Sequence, residues 1–208
     1  MKVTYVDHMG SDISVVNAAR VSFNAMSEPI GSCFDNIPIL NTRDEKLINY
    51  LAEHGHWSPF SHVVLTLRVK APIFVARQLA KHQVGLAWNE ISRRYVDYEP
   101  ELYWPDKWRK KADNVKQGSS DEEVTTRRSL DGSTVEDISR CLVREAELVY
   151  KQIMDMGLAP EQARMILPQN MMITWVWTGT LLAWNHMIRE RTASTTQRET
   201  QEFARMVE

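Results

Sequence analysis

The sequence contains few cysteines, few glycines and no long uninterrupted apolar run. Two cysteines in 208 residues, Cys33 and Cys141, are too few for a disulfide framework or a cysteine-based zinc site. The eight glycines form no glycine-rich phosphate loop, which excludes both the Walker motif and the dinucleotide-binding fingerprint. The longest apolar stretch, residues 171–188, is interrupted by threonine, glycine, asparagine and histidine. We therefore interpret it as buried core rather than as a membrane span.

An excess of charge of one sign is also lacking. The 25 basic and 27 acidic side chains give a formal net charge of −2, which favours neither a nucleic-acid binder nor an acidic disordered chain. The first ten residues lack the apolar core of a secretory signal, so a cytoplasmic protein is expected. Hydrophobic residues at 43% and charged residues at 25% are typical of a globular protein, most often an enzyme.

The alternation of predicted strands and helices indicates one α+β domain that spans residues 1–208. We expect a central, mostly antiparallel sheet flanked by helices, with a helix-rich C-terminal half. Strands are predicted at residues 2–6, 62–70 and 171–178, and helices at 11–21, about 42–54, 73–81, 133–157, 160–167, 180–189 and from 194 onward. The predicted capping residues are Thr42 or Asp44, Ser133 with Glu136, and Ser194 with Gln197, and Pro72 is expected as the first residue of its helix.

Two segments are predicted to lack regular structure. Residues 24–41 contain Pro29, Gly31 and Pro38 and are expected to form a loop. Residues 106–132 are polar, with charges of both signs interleaved, and we interpret them as an exposed insertion. The basic residues of this insertion, from residue 107 to residue 128, leave a nucleic-acid-binding module open as an alternative, although the acidic residues among them disfavour it.

The densest group of polar side chains falls in two neighbouring segments, residues 77–83 and 88–95. The charges at residues 77–83 are typical of the solvated face of a surface helix. The second segment has asparagine, glutamate, serine, two arginines and tyrosine within residues 89–95, a mixture that can bind phosphate, carbonyl and amide groups together. This second segment is therefore a candidate nucleotide-binding loop.

Two further patterns leave alternatives open. His54, His56 and His62 lie close together in sequence and could bind a metal ion, so a metal-dependent nucleotide hydrolase is an alternative function. These histidines could equally lie at the surface, cap a helix or contact a ligand.

Arg164 and Arg191 flank a segment rich in tryptophan and methionine. We interpret that segment as core or subunit interface, with a wall for a planar ligand as the alternative.

Several segments of the chain form an ordered set of motifs. They are Ala19-Arg-Val-Ser22, His54-Gly-His56-Trp-Ser58-Pro-Phe-Ser-His62, Lys70 to Gln78, Lys81-His82-Gln83 followed by Asn89-Glu-Ile-Ser-Arg-Arg-Tyr95, Ala163-Arg164 to Pro168, and Arg191 with Ser194 and Gln197. In this order they resemble the motifs of the flavin-dependent thymidylate synthase family, and the likeness covers nearly the whole chain except residues 106–132. The chain departs from the family hallmark because Lys81 and Gln83 replace arginines and one extra residue lies between Gln83 and Asn89.

The resemblance implies an activity and its partners. A member of this family methylates dUMP to dTMP, with methylenetetrahydrofolate as carbon donor, reduced FAD as hydride source and NADPH as the reductant that reloads the flavin. The reaction needs no cysteine nucleophile, which agrees with Cys33 and Cys141 lying outside every motif. A homotetramer with active sites shared between chains is also implied, with no metal, nucleic-acid or membrane partner.

The resemblance also implies roles for particular residues. The catalytic residues are Arg191 and His56. The dUMP-binding residues are Gln78, Lys81, Ser92, Arg93, Arg94, Arg164 and Arg191. The FAD-binding residues are Ser58, Lys81, His82, Gln83, Glu90, Thr180 and His186, with Thr180 standing where asparagine is common in the family.

Overall fold

The structure, a computed structural model, describes residues 1–33, 37–96, 98–113, 118–124 and 132–208. Its strands, in chain order, are β1 (Lys2–Met9), β2 (Gly31–Ser32), β3 (Pro38–Ile39), β4 (Val64–Pro72), β5 (Leu86–Glu90), β6 (Arg109–Lys111), β7 (Ser119–Glu123) and β8 (Met172–Thr180). Its α-helices are α1 (Asp12–Arg20), α2 (Thr42–Glu53), α3 (Ile73–Leu79), α4 (Val135–Asp155), α5 (Pro160–Ala163), α6 (Leu181–Thr192) and α7 (Arg198–Val207). No helix within these ranges is long and apolar enough to cross a membrane.

Four strands form the central sheet in the order β1-β4-β8-β5, and every neighbouring pair is antiparallel. The two middle strands, β4 and β8, pair along their whole length, from Val64 opposite Thr180 to Pro72 opposite Met172. Helices pack on this sheet, and four of the seven α-helices, including α4, the longest, lie in the C-terminal half. The predicted α+β fold with a central antiparallel sheet is therefore confirmed.

The core lies on one face of the sheet, beneath α3, α6 and α7. Trp175 and Trp177 of β8 enter it, and Trp184 of α6 meets Trp177 edge-on with 4.8 Å between the ring centroids. All three indoles are at most 1% exposed, which confirms the interpretation of this segment as core. Since burying a large apolar side chain stabilises the fold by about 1.5–3 kcal/mol, these rings are a principal source of stability.

Each central strand continues directly into a helix, and this connection brings two distant parts of the chain together. β4 ends at Pro72 and α3 begins at the next residue, while β8 ends at Thr180 and α6 begins at the next residue. Because the strands are antiparallel, the two helices start from opposite ends of the sheet. They meet over the core, where Arg191 of α6 donates a hydrogen bond to the carbonyl of Gln78 of α3.

Two helix starts differ from their predicted caps. The N-cap of α2 is Asn41, whose side chain accepts hydrogen bonds from two backbone amides, so the prediction of Thr42 or Asp44 is wrong. Asn41 has the extended backbone that an N-cap requires, with ψ at 160°, whereas Thr42 and Asp44 are already helical. Pro72 is the N-cap of α3 rather than its first helical residue, since it is the last residue of β4 and lies opposite Met172 of β8.

Two predicted capping boxes are also wrong. The box that opens α4 is formed by Thr134 and Asp137 instead of Ser133 and Glu136, one residue further along the chain. Thr134 has the extended backbone that an N-cap requires, with ψ at 167°. At α7 the N-cap makes no side-chain capping hydrogen bond, so the box predicted at residues 194–197 does not form.

Several short strands were not predicted. β2 and β3 pair within the predicted loop at residues 24–41, β5 joins the edge of the central sheet, and β6 and β7 form a hairpin within the insertion. β6 and β7 contain no apolar residue, so hydrophobic alternation gives no signal there. Residues 114–117 and 125–131, which include Lys116, Arg127 and Arg128 of the nucleic-acid hypothesis, lie outside the described residues.

Candidate active site

Arg191 and His82 form the centre of the candidate site, although 109 residues separate them in the chain. The Nε of Arg191 donates to Nε2 of His82 at 2.8 Å, and its Nη2 donates to the carbonyl oxygen of Gln78 at 3.0 Å. His186, one turn earlier on α6, meets His82 edge-on with 5.9 Å between ring centroids. We call these four residues the arginine–histidine junction. They were all predicted site residues, and the fold brings them together.

The protonation state of His82 follows from this contact. A guanidinium can only donate hydrogen bonds, so Nε2 of His82 must accept, and the ring proton lies on Nδ1. Burial, followed by the positive charges of Arg191 and His186, lowers the pKa of His82, while Glu190 opposes the shift. At neutral pH His82 is therefore an uncharged ring that holds the Arg191 guanidinium in a fixed orientation.

Three arginines line a cavity of about 390 Å³ between α3, β5 and the segment that precedes β8. They are Arg77, Arg93 and Arg164, and Glu90 supplies a carboxylate to the same wall. We call this space the arginine cavity. Arg93 is only 6% exposed, because its guanidinium lies over the ring of Tyr98 at 4.5 Å and donates to the Tyr98 carbonyl. Three guanidinium groups around one cavity provide the planar donors that suit a phosphate group.

The end of β5 organises the segment beside this cavity. The indole of Trp88 donates to Oε2 of Glu90 at 3.0 Å and fixes that carboxylate. Two residues later, Oγ of Ser92 accepts from both the backbone amide and Nε of Arg94, each at 3.3 Å. The Arg94 guanidinium also lies 5.1 Å from the ring centre of Tyr95. Arg94 is thus held in place although it is exposed.

His56 lies in a second cavity, of about 430 Å³, between α2 and α6. Its lining also includes Asn185 and Arg189 of α6 and the indole of Trp57, and we call this space the histidine cavity.

The hydroxyl of Thr180 has a structural role, since it accepts from the amide of Ala183 at 3.2 Å and caps α6.

Several predicted site residues lie outside the junction and the linings of these two cavities. They are Ser58, Lys81, Gln83, Ser92, Arg94 and Thr180. Conversely, the arginine cavity includes Arg77, and the histidine cavity includes Asn185 and Arg189, none of which was assigned a role from the sequence. Arg77 directly precedes Gln78 within the motif segment, and that position was the available signal.

The histidines proposed as metal ligands are not arranged to hold a metal. Across the described parts of the chain, no group of three or more His, Cys, Asp or Glu side chains could bind a metal ion. Nδ1 of His54 lies 2.9 Å from the Tyr50 carbonyl, and its ring stacks on that of Tyr50 at 4.0 Å. The metal-dependent hydrolase therefore has no observation to support it.

Among solved structures, the fold is similar to that of a nucleotide methylase. The chain is similar to a UMP/dUMP methylase, PolB, from Streptomyces cacaoi, solved with 5-Br UMP, at 28% identity and a TM-score of 0.78 over 98% of this chain and 85% of that one. A second structure of the same enzyme, bound with 5-Br dUMP, gives 30% identity and a TM-score of 0.77, over 98% of this chain and 86% of that one.

The family model described as "Thymidylate synthase complementing protein" matches residues 4–208. The chain is 37% identical over 202 residues to a flavin-dependent thymidylate synthase of Thermosipho africanus, covering 96% of this chain and 80% of the relative. It is 35% identical over 209 residues to one of Thermus thermophilus, covering 99% and 69%. The chain therefore belongs to the flavin-dependent thymidylate synthase family, an enzyme family with FAD as cofactor, as the motifs indicated.

Proposed function

We propose that this enzyme methylates dUMP to dTMP, with methylenetetrahydrofolate as carbon donor and NADPH as the reductant of its flavin. The observation that carries the proposal is the arginine–histidine junction, which fixes the Arg191 guanidinium against α3 and the turn that follows it. Gln78 of the junction directly follows Arg77, which lines the arginine cavity. A preorganised positive group and a cavity lined by three arginines would together supply the cations that the base and the phosphate of a pyrimidine nucleotide need.

The phosphate of dUMP would occupy the arginine cavity. Arg93 and Arg164 line it and are the two predicted dUMP ligands with direct access to that space. We assign the remaining predicted dUMP ligands, Gln78, Lys81, Ser92 and Arg94, to the sugar and base, with Arg191 at the uracil. A bidentate guanidinium contact is both stronger and more directional than a contact with a neutral donor, so two arginines would fix the nucleotide in one orientation.

Arg191 would act by electrostatic stabilisation. Its guanidinium has five N–H donors, and the junction occupies two of them, leaving three for a ligand. The residue is half-buried, so its charge is less screened than at the surface. Negative charge that develops on the uracil during methylation would be stabilised by this fixed group at no cost in reorganisation.

The side chains after α3 suit an anionic dinucleotide cofactor such as FAD. Lys81 and Gln83 are exposed donors on either side of His82, whose Nδ1–H is also a donor. Bound FAD would supply the hydride for the reductive step. We assign its binding to Lys81, His82, Gln83, Ser58, Glu90, Thr180 and His186. His56 would contact the reacting groups from the histidine cavity. Lysine lacks the planar fork of arginine and glutamine lacks its charge, so the flavin contacts differ from those of the family hallmark.

The positions of the cysteines support a mechanism without a thiol nucleophile. Cys33 and Cys141 are both exposed, and neither lines the arginine cavity or the histidine cavity. A nucleophile must lie within reach of the substrate carbon.

Exposed apolar side chains beside the site support the proposal of a homotetramer with shared active sites. Val84, Tyr95 and Met165 each follow a predicted site residue directly and are 93%, 78% and 77% exposed. Large apolar side chains that rim a polar site are the kind of surface that a neighbouring subunit covers. A tetramer is expected in light scattering of the purified protein. An enzyme of nucleotide metabolism also fits the proposed cytoplasmic location.

The test is dTMP formation from dUMP by the FAD-loaded protein, with NADPH oxidation and product chromatography as readouts. Removing one preorganised charge costs about 3 kcal/mol of transition-state stabilisation, so Arg191→Ala is expected to lose roughly a hundredfold in rate. The matched control is Arg43→Ala, which removes an exposed arginine of α2. Undiminished turnover by Arg191→Ala, with the flavin bound, would remove Arg191 from the mechanism.

The same assay separates two substrates. The structural neighbour is described as a methylase of both UMP and dUMP, so UMP is supplied to the wild-type enzyme in parallel with dUMP. We expect turnover of dUMP. Methylation of UMP alone would overturn the proposed substrate while leaving the reaction type intact, and no turnover of either nucleotide would overturn the proposed function.

A further inference from the structure

One residue of the insertion hairpin reaches the body of the domain through a buried ion pair. Nη2 of Arg109, on β6, donates to Oε1 of Glu199 on α7 at 2.7 Å, and Glu199 is only 5% exposed. Nε of the same guanidinium donates to Oγ of Ser119 on β7 at 2.7 Å, which ties Arg109 into the hairpin. The hairpin is therefore fastened to the first turn of α7 by a charged contact in which the carboxylate is buried and the guanidinium is partly exposed.

The ion pair continues into the candidate site through two glutamines. The second oxygen of Glu199 accepts from Nε2 of Gln197 at 3.0 Å, and Oε1 of Gln197 accepts from Nε2 of Gln78 at 2.6 Å. The carboxylate accepts only, so it fixes which end of the Gln197 amide faces Gln78. The Gln78 side chain is thereby oriented, and the backbone carbonyl of the same residue accepts from Arg191 in the arginine–histidine junction.

We propose that Arg109 is a positioning residue for nucleotide binding, acting through Glu199 and Gln197 on Gln78. The inference rests on the proposed function, which assigns Gln78 to dUMP. If Arg109 is removed, Glu199 remains as a buried carboxylate without its cation. Such a group must recruit another donor or become solvated. When the carboxylate moves to reach that donor or water, the Gln197 amide bonded to it loses its fixed position, and Gln78 is no longer held in one orientation before dUMP arrives.

A polar segment that lies outside the recognised motifs is thus connected to the substrate site by a continuous hydrogen-bonded path. The other described ion pairs of the hairpin do not provide such a path. Lys110 pairs with Glu122 at 2.8 Å within the hairpin, where both side chains are exposed. Asp121 approaches Arg198 only to 3.9 Å, and both are exposed, so this contact is weak.

The experiment measures the dissociation constant of dUMP by calorimetry on the FAD-loaded, full-length protein, with kcat and KM for dUMP measured alongside. Arg109→Ala is expected to weaken dUMP binding about tenfold, the usual effect of losing a hydrogen-bonded charge, with unchanged flavin content. Arg109→Lys keeps the cation and is expected to restore most of the affinity. Lys110→Ala, the matched control in the same strand, is expected to bind as the wild type does.

A double-mutant cycle tests whether the effect passes through Gln78. In a Gln78→Ala background, Arg109→Ala is expected to change dUMP affinity by no more than about twofold, since the path is already broken. A full additional loss in that background would show that Arg109 acts by another route and would overturn the inference. Glu199→Gln breaks the same path at another residue. If Arg109→Ala does not fold, the dUMP dissociation constant of Glu199→Gln is the measurement that tests the inference.

The outcomes separate the inference from the proposed function. If the wild-type protein binds dUMP and Arg109→Ala binds it equally well, only the inference fails. If the wild-type protein does not bind dUMP, the proposed function fails and the inference fails with it.

Discussion

Replacing Gly179 by alanine tests whether β5 must lie as close to β8 as the structure places it. Gly179 faces Leu86 in the sheet register. A Cβ at this position would overlap the Leu86 side chain and lie 2.7 Å from the carbonyl oxygen of Gly85. A backbone oxygen cannot move aside as a flexible side chain can, so the β5 strand itself must shift. β5 leads to Glu90 and Ser92, so the shift would extend to the candidate site.

The magnitude follows from two opposing effects. Overpacking costs about 1–3 kcal/mol, whereas replacing glycine stabilises a chain by about 0.4–1 kcal/mol through the unfolded state. The net loss is about 1–2 kcal/mol, which lowers the melting temperature of a domain of this size by about 2–8 °C. Thermal unfolding of the wild type and of Gly179→Ala, both without ligand, measures this difference.

The control uses the same substitution where there is space. Gly31 has an ordinary backbone conformation, and a Cβ there would meet only Ile39, at 3.9 Å. Gly31→Ala is expected to leave the melting temperature unchanged or raise it slightly. A melting temperature for Gly179→Ala equal to that of the wild type would refute the close approach of β5 and β8, and with it the placement of Glu90.

Three further outcomes are expected. As the pH falls through the lowered pKa of His82, the ring gains a proton and can no longer accept from Arg191. The stabilisation by this contact is therefore complete above the ordinary histidine pKa of 6.5 and is lost at acid pH. An NMR titration of His82 with a midpoint above 6.5 would contradict this. Changing Cys33 and Cys141 together to serine is expected to leave dTMP formation mostly intact, and an inactive double variant would argue for thiol catalysis. Asp44→Asn is expected to cost about 3 kcal/mol in urea unfolding at pH 7, because the carboxylate is fully buried on an arginine. Burial alone would raise the pKa of Asp44, but the hydrogen bonds and charge of its partners lower it. The loss of unfolding free energy in Asp44→Asn is therefore expected to shrink as the pH falls through that lowered pKa. A loss that is independent of pH would refute this.

The parts of the fold that the sequence predicts are those in which one face is buried. The strand at β4 alternates apolar and polar residues and was predicted to within a few residues of its bounds. β5, with Leu86, Trp88 and three other residues, is too short to show the same alternation. The predicted helix start is wrong by one residue where two residues that can both act as N-cap are neighbours, as at Asn41 and Thr42. Only the backbone conformation shows which of the two is the N-cap.

The candidate site shows the same division between local and long-range information. Motif resemblance identified Gln78, His82 and Arg191 individually, since each lies in a recognisable segment. Their contacts depend on the crossing of α3 and α6, which no local pattern encodes. Glu199 was missed because its significance comes from burial against Arg109, ninety residues away in the chain.

The pairing of the two central strands also has a consequence for how the protein is synthesised. Thr66 and Thr178, whose hydroxyls lie 3.0 Å apart across β4 and β8, are 112 residues apart in the chain. A growing polypeptide therefore carries β4 with β1 but without β8 while the residues between β4 and β8 are synthesised, and Leu67 and Val69 lack the core they later enter. Such late, long-range pairing slows folding and leaves an apolar strand open to association with other chains. Nascent chains that stop short of β8 are thus expected to depend on chaperones to remain soluble.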